Sequence, residues 1–400
     1  MKRFNYVAKD GKTGEKLKGT VQAESERAAG KMLLERGLIP SLVKEEGDDN
    51  VLAKLTNKIT TKDRVVFTRQ FATLIGAGLP LSNSLRTVAD QTQNKAMKAV
   101  IEDVMASIEG GKTLSDAMGN HPTVFDKVYL ALVAAGEVSG TLDEALRRIA
   151  MQQEKDAAMM SKIRGALTYP AIVMVVILLV VAFMMFTVVP QVENLYNDLK
   201  QPLPVLTAVM VGFSTFIARF WWLVIIILAG AVFFFGKFLK SESGVKFAAS
   251  FKLNVPLFKN LFRRLYMARF ARTAQILLGS GVQMLDTLTI AGDAVNNAIV
   301  KKSIDNAAEK VKGGKALSES LAGQDYILPL IPEMISIGEQ SGRIDEMLAK
   351  AAQVFEDELD EQIRTISTLI EPILMVVLAV VAGGMIAAIL FPIYSLVNMV

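Results

Sequence analysis

No cysteine and a single histidine, His121, stand in this chain. The first absence excludes disulfides and thiolate zinc sites. The second excludes His-rich metal clusters and any Ser–His or Cys–His dyad repeated in both halves. Carboxylate chemistry is what remains. An excess of one charge is lacking as well: 44 lysines and arginines are interleaved with 40 aspartates and glutamates, and a net +4 offers no basic face for nucleic acid. The opening "MKRFNYVAKDGKTGEKLKG" has no apolar core of signal-peptide length and no small-residue cleavage site, so the amino terminus is expected in the cytoplasm.

What the chain does have is apolar residues, unevenly placed. They make up 52% of the 400 residues and pile up in three runs, as in soluble domains tied to membrane spans. The run 171–189, "AIVMVVILLVVAFMMFTVV", is free of charge and bracketed by Pro170 and Pro190. The run 220–236 is flanked by Arg219, Trp221 and Trp222 at one end and by Lys237 and Lys240 at the other, as interfacial anchors are. From Pro372 onward no charged residue occurs. At 1.5 Å per residue the first run covers most of the ~30 Å of a hydrocarbon core. Lys155, Lys162 and Arg164 precede the first run and Lys237, Lys240, Lys246 and Lys252 follow the second, whereas the loop between them has only Lys200. The positive-inside rule then places that loop outside, the amino terminus inside and the carboxyl terminus outside. Arg219, beside two tryptophans, reads as a snorkelling anchor rather than part of a transport path.

The chain also repeats itself. Setting Phe67 against Phe270 aligns "IGAGLPLSNSL" with "LGSGVQMLDTL" and brings Gly110-Gly111-Lys112 onto Gly313-Gly314-Lys315. After a one-residue deletion, "GEVSGTLDEAL" (136–146) falls on "GEQSGRIDEML" (338–348), Pro170 on Pro372 and Pro190 on Pro392. Glycine punctuation divides each copy into six helices, the sixth able to run on into the membrane as a rod. The expected fold is an all-α integral membrane protein with two repeated six-helix cytoplasmic bundles, three transmembrane helices and a small N-terminal α+β element. Its parts are a cytoplasmic α+β domain (1–45), a linker (46–60), the first bundle (61–169), a first span (170–190) and an external loop and helix (191–219). A second span (220–236), the second bundle (237–370) and a third span with an external end (371–400) complete it.

Two motifs invite a chemical reading. "GGKT" at 110–113 resembles the end of a phosphate loop, but Ala106 replaces the earlier glycine, no strand precedes it and the second copy reads "GGKA"; a helix stop followed by a cap fits better. The repeated acidic motif offers Glu137, Asp143 and Glu144 as hard oxygen ligands for calcium or magnesium. It also makes sense as a joint. Gly136 and Gly338 suit left-handed helix ends, Ser139 and Ser341 suit caps, and Asp143, Glu144, Asp345 and Glu346 suit a first helical turn; Thr141 and Glu144 have capping-box spacing. No second constellation supplies a catalytic pocket, so the joint is favoured. Glu137 and Glu339, which the turn does not require, stay open as partner or metal contacts. Glu371, just before Pro372, is read as a partner contact or a helix cap at the inner mouth of the last span.

Together these stretches resemble the inner-membrane platform proteins of type IV pili and type II secretion systems, the type II secretion F family. The residues that carry the resemblance are "FATLIGAGLPLSNSL", "GEVSGTLDEAL" and "ALTYPAIVM" with "VVPQVENLY", their second copies "LLGSGVQMLDTL", "GEQSGRIDEML" and "IEPILMVV" with "FPIYSL", and Tyr6, Ala8, Asp10, Gly14 and Gly19 near the start. Gly140 and Gly342 complete the two acidic motifs. The resemblance implies a non-enzymatic platform without cofactor. It implies a cytoplasmic hexameric ATPase, pilin or pseudopilin subunits and other inner-membrane assembly proteins as partners, in contact with membrane lipid and not with nucleic acid, and a homo-oligomer with a dimer favoured. A pilus is preferred over a secretion system. A secondary transporter is the rival reading, though three spans without midplane charge make a poor permeation path.

Overall fold

The computed structural model describes residues 2–10, 16–23, 26–35, 38–45, 58–198, 205–256 and 258–397. Residues 11–15, where the sequence "GKTGE" is expected to turn between two strands, and most of the expected linker lie outside the described residues. The chain divides into two compact units, one of residues 1–71 and 79–111, the other of residues 72–78 and 112–400.

In the first unit, alternating apolar residues form strands β1 (Lys2–Asp10), β2 (Lys16–Ala23) and β3 (Leu38–Glu45), all antiparallel in the order β2-β1-β3. Tyr6 lies opposite Gly19 on β2, and a Cβ at Gly19 would come within 2.8 Å of the Tyr6 hydroxyl, so the phenol ring explains the glycine. Pro40 cannot donate to a ladder and sits on the edge strand β3, beside an irregularity in its pairing with β1 at Val7 and Ala8. Helix α1 (Glu26–Glu35) buries Ala29 and Leu33 against Val21 and Ala23. Helix α2 (Thr61–Gly76) opens on a reciprocal cap: the Asp63 carboxylate accepts from the Thr60 backbone N–H at 2.8 Å, and the Thr60 hydroxyl oxygen accepts from the Asp63 N–H at 3.2 Å. Burial alone would raise the Asp63 pKa, but bonds from the backbone and hydroxyl of Thr60 and from Asn94 outweigh it and hold the carboxyl below its ordinary value. Helix α3 (Leu81–Gln91) follows Pro80, which stands at the cap position itself, so neither Ser82 nor Asn83 caps it. Asn94 caps α4 (Lys95–Glu109).

The second unit continues with α5 (Leu114–Gly119), α6 (Lys127–Ser139) and α7 (Leu142–Phe183), a 42-residue helix roughly 63 Å long. Pro170 lies inside α7 and does not end it. A π-helical segment, Met184–Val188, joins α7 to α8 (Val189–Asp198). Pro190 falls just after this widened turn, and Ser214 from the next helix donates its hydroxyl to the Met185 carbonyl at 2.5 Å. Helices α9 (Val205–Arg219), α10 (Trp221–Lys240) and α11 (Glu242–Asn254) follow. Next come α12 (Lys259–Gly279), α13 (Met284–Ala294), α14 (Ala298–Lys312), α15 (Leu317–Leu321) and α16 (Leu330–Ser341). The final helix, α17 (Ile344–Val397), has 54 residues and is about 80 Å long. Its amino-terminal half packs along α12 and buries Leu348, Phe355 and Leu359 with Leu265, Phe270 and Ile304 in one core.

Two helical stretches among the described residues are long and apolar enough to cross a membrane, Leu142–Asp198 and Ile344–Ala387. The expected second span falls on the 20-residue α10, which is apolar almost throughout.

Candidate functional site

The acidic motifs form the turns that launch the two long helices. Gly140 (φ 73°) and Gly342 (φ 70°) adopt the left-handed conformation, and the N–H groups of Thr141 and Arg343 return to the carbonyls of Gly136 and Gly338 at 2.9 Å. This corrects the expectation that Gly136 and Gly338 are the left-handed residues. Both remain helical and buried, because the following helix presses against them. A Cβ at Gly136 would stand 2.8 Å from the Ala145 Cβ, and one at Gly338 would stand 2.6 Å from the Ile344 Cα.

Ser139 and Ser341 do not cap forward either. Their hydroxyls donate backward to the carbonyls of Ala135 (2.7 Å) and Ile337 (2.8 Å). The Thr141–Glu144 capping box does not form: Thr141 makes no cap bond, and Glu144 accepts from Arg148 at 2.5 Å. Asp143, Glu144, Asp345 and Glu346 do lie in first turns, where they complement the helix dipole.

Glu137 and Glu339 are engaged within the protein. The Glu137 carboxylate accepts from the backbone N–H groups of Leu114 (2.5 Å) and Ser115 (2.9 Å), at the start of α5. Glu339 accepts from Leu317 (2.7 Å) and Ser318 (3.3 Å) at the start of α15, and also from the Ser318 hydroxyl. Each glutamate therefore satisfies orphan donors of a short helix 21 to 23 residues upstream. In the first copy Thr113 adds its own cap to the Asp116 N–H at 3.1 Å, the helix start expected at "GGKT". Sequence reasoning missed this tie; the signal was its recurrence at almost equal spacing in both copies. Glu137, Asp143 and Glu144 are not gathered into a metal cage, and among the described residues no three His, Asp or Glu side chains are so gathered.

Beyond the turns, α7 and α17 run side by side. Lys155 bonds Glu356 at 3.2 Å and Lys162 bonds Asp360 at 2.6 Å, so both helices advance in the same direction. Arg272 on α12 donates twice to Glu356, at 2.9 and 2.7 Å. Farther along, Ile163, Ala166 and Leu167 of α7, Phe258 with Leu261 and Phe262 at the start of α12, and Ile363 and Ile366 of α17 line a half-open apolar cavity of about 210 Å³. Lys127 and Lys301 both reach Asp293, at 2.7 and 2.9 Å. Burial opposes ionisation of that carboxyl, but these two lysines prevail and keep its pKa below the ordinary value.

A second cavity, of about 100 Å³, lies where α6 and α7 meet α12; its lining is mixed, with Asp126, Gln152, Gln153, Asp156, Arg269 and Thr273 as the polar part beside residues such as Leu132 and Ile149. Gln152 Oε1, Gln153 Oε1 and Arg269 Nε are buried there without a protein partner among the described residues. Burial pushes the Asp156 carboxyl up, Arg269 and Arg272 pull it down, and Asp126 and Glu356 add to the rise.

Glu371 and Pro372 lie in the middle of α17, Glu371 exposed. Glu371 cannot cap a helix start there, because the helix begins 27 residues earlier at Ile344. Pro392 also falls within α17.

These observations define a mostly helical, membrane-embedded protein whose motif-bearing turns launch two long paired helices. The chain belongs to the family described as Type II secretion system (T2SS), protein F, whose model matches residues 67–190 and again 270–392. Residues 1–44 match the Type II secretion system protein F, N-terminal domain. Curated relatives carry two kinds of name. A "Type IV pilus assembly protein PilC" of Myxococcus xanthus is 36% identical over 98% of this chain and 95% of its own length, and one of Thermus thermophilus is 34% identical over 99% and 98%. A "Type II secretion system protein F" of Pseudomonas aeruginosa is 35% identical over the whole of both chains.

Proposed function

We propose that this chain is a non-enzymatic platform of the bacterial inner membrane that couples a cytoplasmic hexameric ATPase to insertion or removal of pilin subunits in a type IV pilus. The observation that carries the reading is the pair α7 and α17. Each leaves a charged helical region and runs without a break into a charge-free apolar stretch, and ion pairs tie the two together before that stretch begins. A push on the helical regions therefore moves both rods in register. Names given to full-length relatives support a role in filament assembly, and the matching of one family model to two segments supports two repeated bundles.

On this reading α10 is a third span, the amino terminus is cytoplasmic and the carboxyl terminus external, which lysine placement in the flanks supports. The protein works as a dimer among other inner-membrane assembly proteins. Platforms of type II secretion, handling pseudopilins, form the second reading, favoured by the relatives of that name at equal identity. Deleting the protein and scoring surface filaments and secreted proteins separates the two. Loss of filaments alone supports the pilus and loss of secretion alone supports the secretion system. If neither changes, the platform reading is wrong.

A further inference from the structure

Helix α11 has two faces. Ala249 and Leu253, four residues apart, are 6% and 0% exposed and turn into the core built on α12 and α14, where buried Asn297 also donates to the Ala249 carbonyl at 3.4 Å. Phe247 and Phe251 are two residues out of step with that pair, which puts them on the opposite side, 55% and 60% exposed. Their rings stack with centroids 6.2 Å apart, and the Phe238 ring at the foot of α10 lies 6.2 Å from Phe247, making one continuous phenyl strip.

The turn that joins the two helices is tightly built. The Ser241 hydroxyl oxygen accepts from the Gly244 N–H at 3.1 Å, and the hydroxyl donates to the Phe238 carbonyl at 2.6 Å. At Gly244 the backbone passes so close to that carbonyl that no Cβ would fit. The phenyl strip is thus held in a fixed relation to the end of α10. Residues 237–254 carry four lysines, Lys237, Lys240, Lys246 and Lys252, against one acid, Glu242. The Lys252 ammonium lies 5.8 Å from the Phe262 ring, so one of these charges borders the apolar cavity.

We infer that α11 is an in-plane membrane helix, its Phe247 and Phe251 rings sunk among the acyl chains of the cytoplasmic leaflet and its lysines set against anionic lipid headgroups. The occupant follows from the chain itself. Only Ser241 separates α11 from the end of an apolar helix whose phenylalanines face outward, so the strip continues a surface already in lipid, and its flanking charge is complementary to acidic headgroups. This rests on the reading of α10 as a span with its lysine end in the cytoplasm, and the test tells the two apart.

Because the chain lacks cysteine, single-cysteine variants of the full-length protein accept one label each. Phe247→Cys, Phe251→Cys and Val232→Cys, the last within α10, are labelled with an environment-sensitive fluorophore and reconstituted into phosphatidylcholine nanodiscs with or without phosphatidylglycerol. Quenching is compared between aqueous iodide and lipids spin-labelled either high on the acyl chain or near its end. The expected result is deep quenching at Val232. At 247 and 251 it is blue-shifted emission and severalfold stronger quenching by the shallow lipid label than by iodide, the difference growing with phosphatidylglycerol. Quenching at Val232 with iodide-accessible labels at 247 and 251 overturns the inference and leaves the span intact. Labels at 247 and 251 shielded from both quenchers mean that a protein surface covers the strip, which also overturns it. No lipid quenching at Val232 overturns the span and the inference together.

Discussion

A carboxylate that accepts two backbone N–H groups at the start of another helix does the work of an N-cap from a distance, and Glu137 and Glu339 each do so. Glutamine keeps one acceptor oxygen but loses the charge and the bidentate grip. Glu137→Gln and Glu339→Gln are each expected to cost about 1–2 kcal/mol, seen as a lower melting temperature of the detergent-solubilised protein. Glu144→Gln, at an exposed carboxylate that pairs only with Arg148 four residues on, is expected to change stability by less than ~0.5 kcal/mol. Gly338→Ala is expected to cost about 1–3 kcal/mol, because the added carbon meets backbone that cannot swing away. The equal melting of Glu339→Gln and the parent would refute the capping role. Local pattern could not reveal these residues, since a cap 21 to 23 positions away leaves no mark in helical periodicity. Nor does a motif with two glycines say which one turns left-handed; close packing by Ala145 and Leu142 decides that, and packing is not local.

Among elements, α7 continues through Pro170 where an end is the ordinary expectation. The proline forfeits one hydrogen bond, whereas ending the helix at the edge of an apolar run would leave several backbone groups unpaired in lipid. The apolar runs, the glycine-pair stops and the strands of the amino-terminal domain were legible because each follows from composition or period alone. The cavity beneath α6 and α7 was not, because its lining also draws on α12 and α13, more than a hundred residues farther along the chain. Asp156 in that cavity has a folded pKa raised above its ordinary 3.8, so between the two values the native state holds more protons than the unfolded chain. The native state therefore loses stability as pH rises through that window. Facing it are Asp126 from the start of α6, Glu356 of α17, and Arg269 and Arg272 of α12. Asp156→Asn is expected to raise the melting temperature at neutral pH, with the gain shrinking towards zero as pH falls to the ordinary carboxylate value. A gain that is the same at every pH, or a loss at neutral pH, would show that the carboxylate is not penalised.

At the scale of the whole molecule, the platform reading requires binding without turnover. Purified protein in detergent is expected to pull down the cytoplasmic assembly ATPase and to hydrolyse no ATP by itself; phosphate release above the detergent blank would contradict it. The seam between α7 and α17 has a further consequence. Lys155 and Glu356 are 201 residues apart and Lys162 and Asp360 are 198 apart, close to the 202 that separates Pro170 from its counterpart Pro372. Each pair therefore joins positions within about one helical turn of being copies of each other. Two identical chains meeting along such a line would bring like residues together near the symmetry axis and could not make it basic on one side and acidic on the other. Joining the copies in one polypeptide lifts that restriction: α7 supplies lysines, α17 supplies carboxylates, and the seam has the complementarity of a heterodimer whose subunits cannot dissociate.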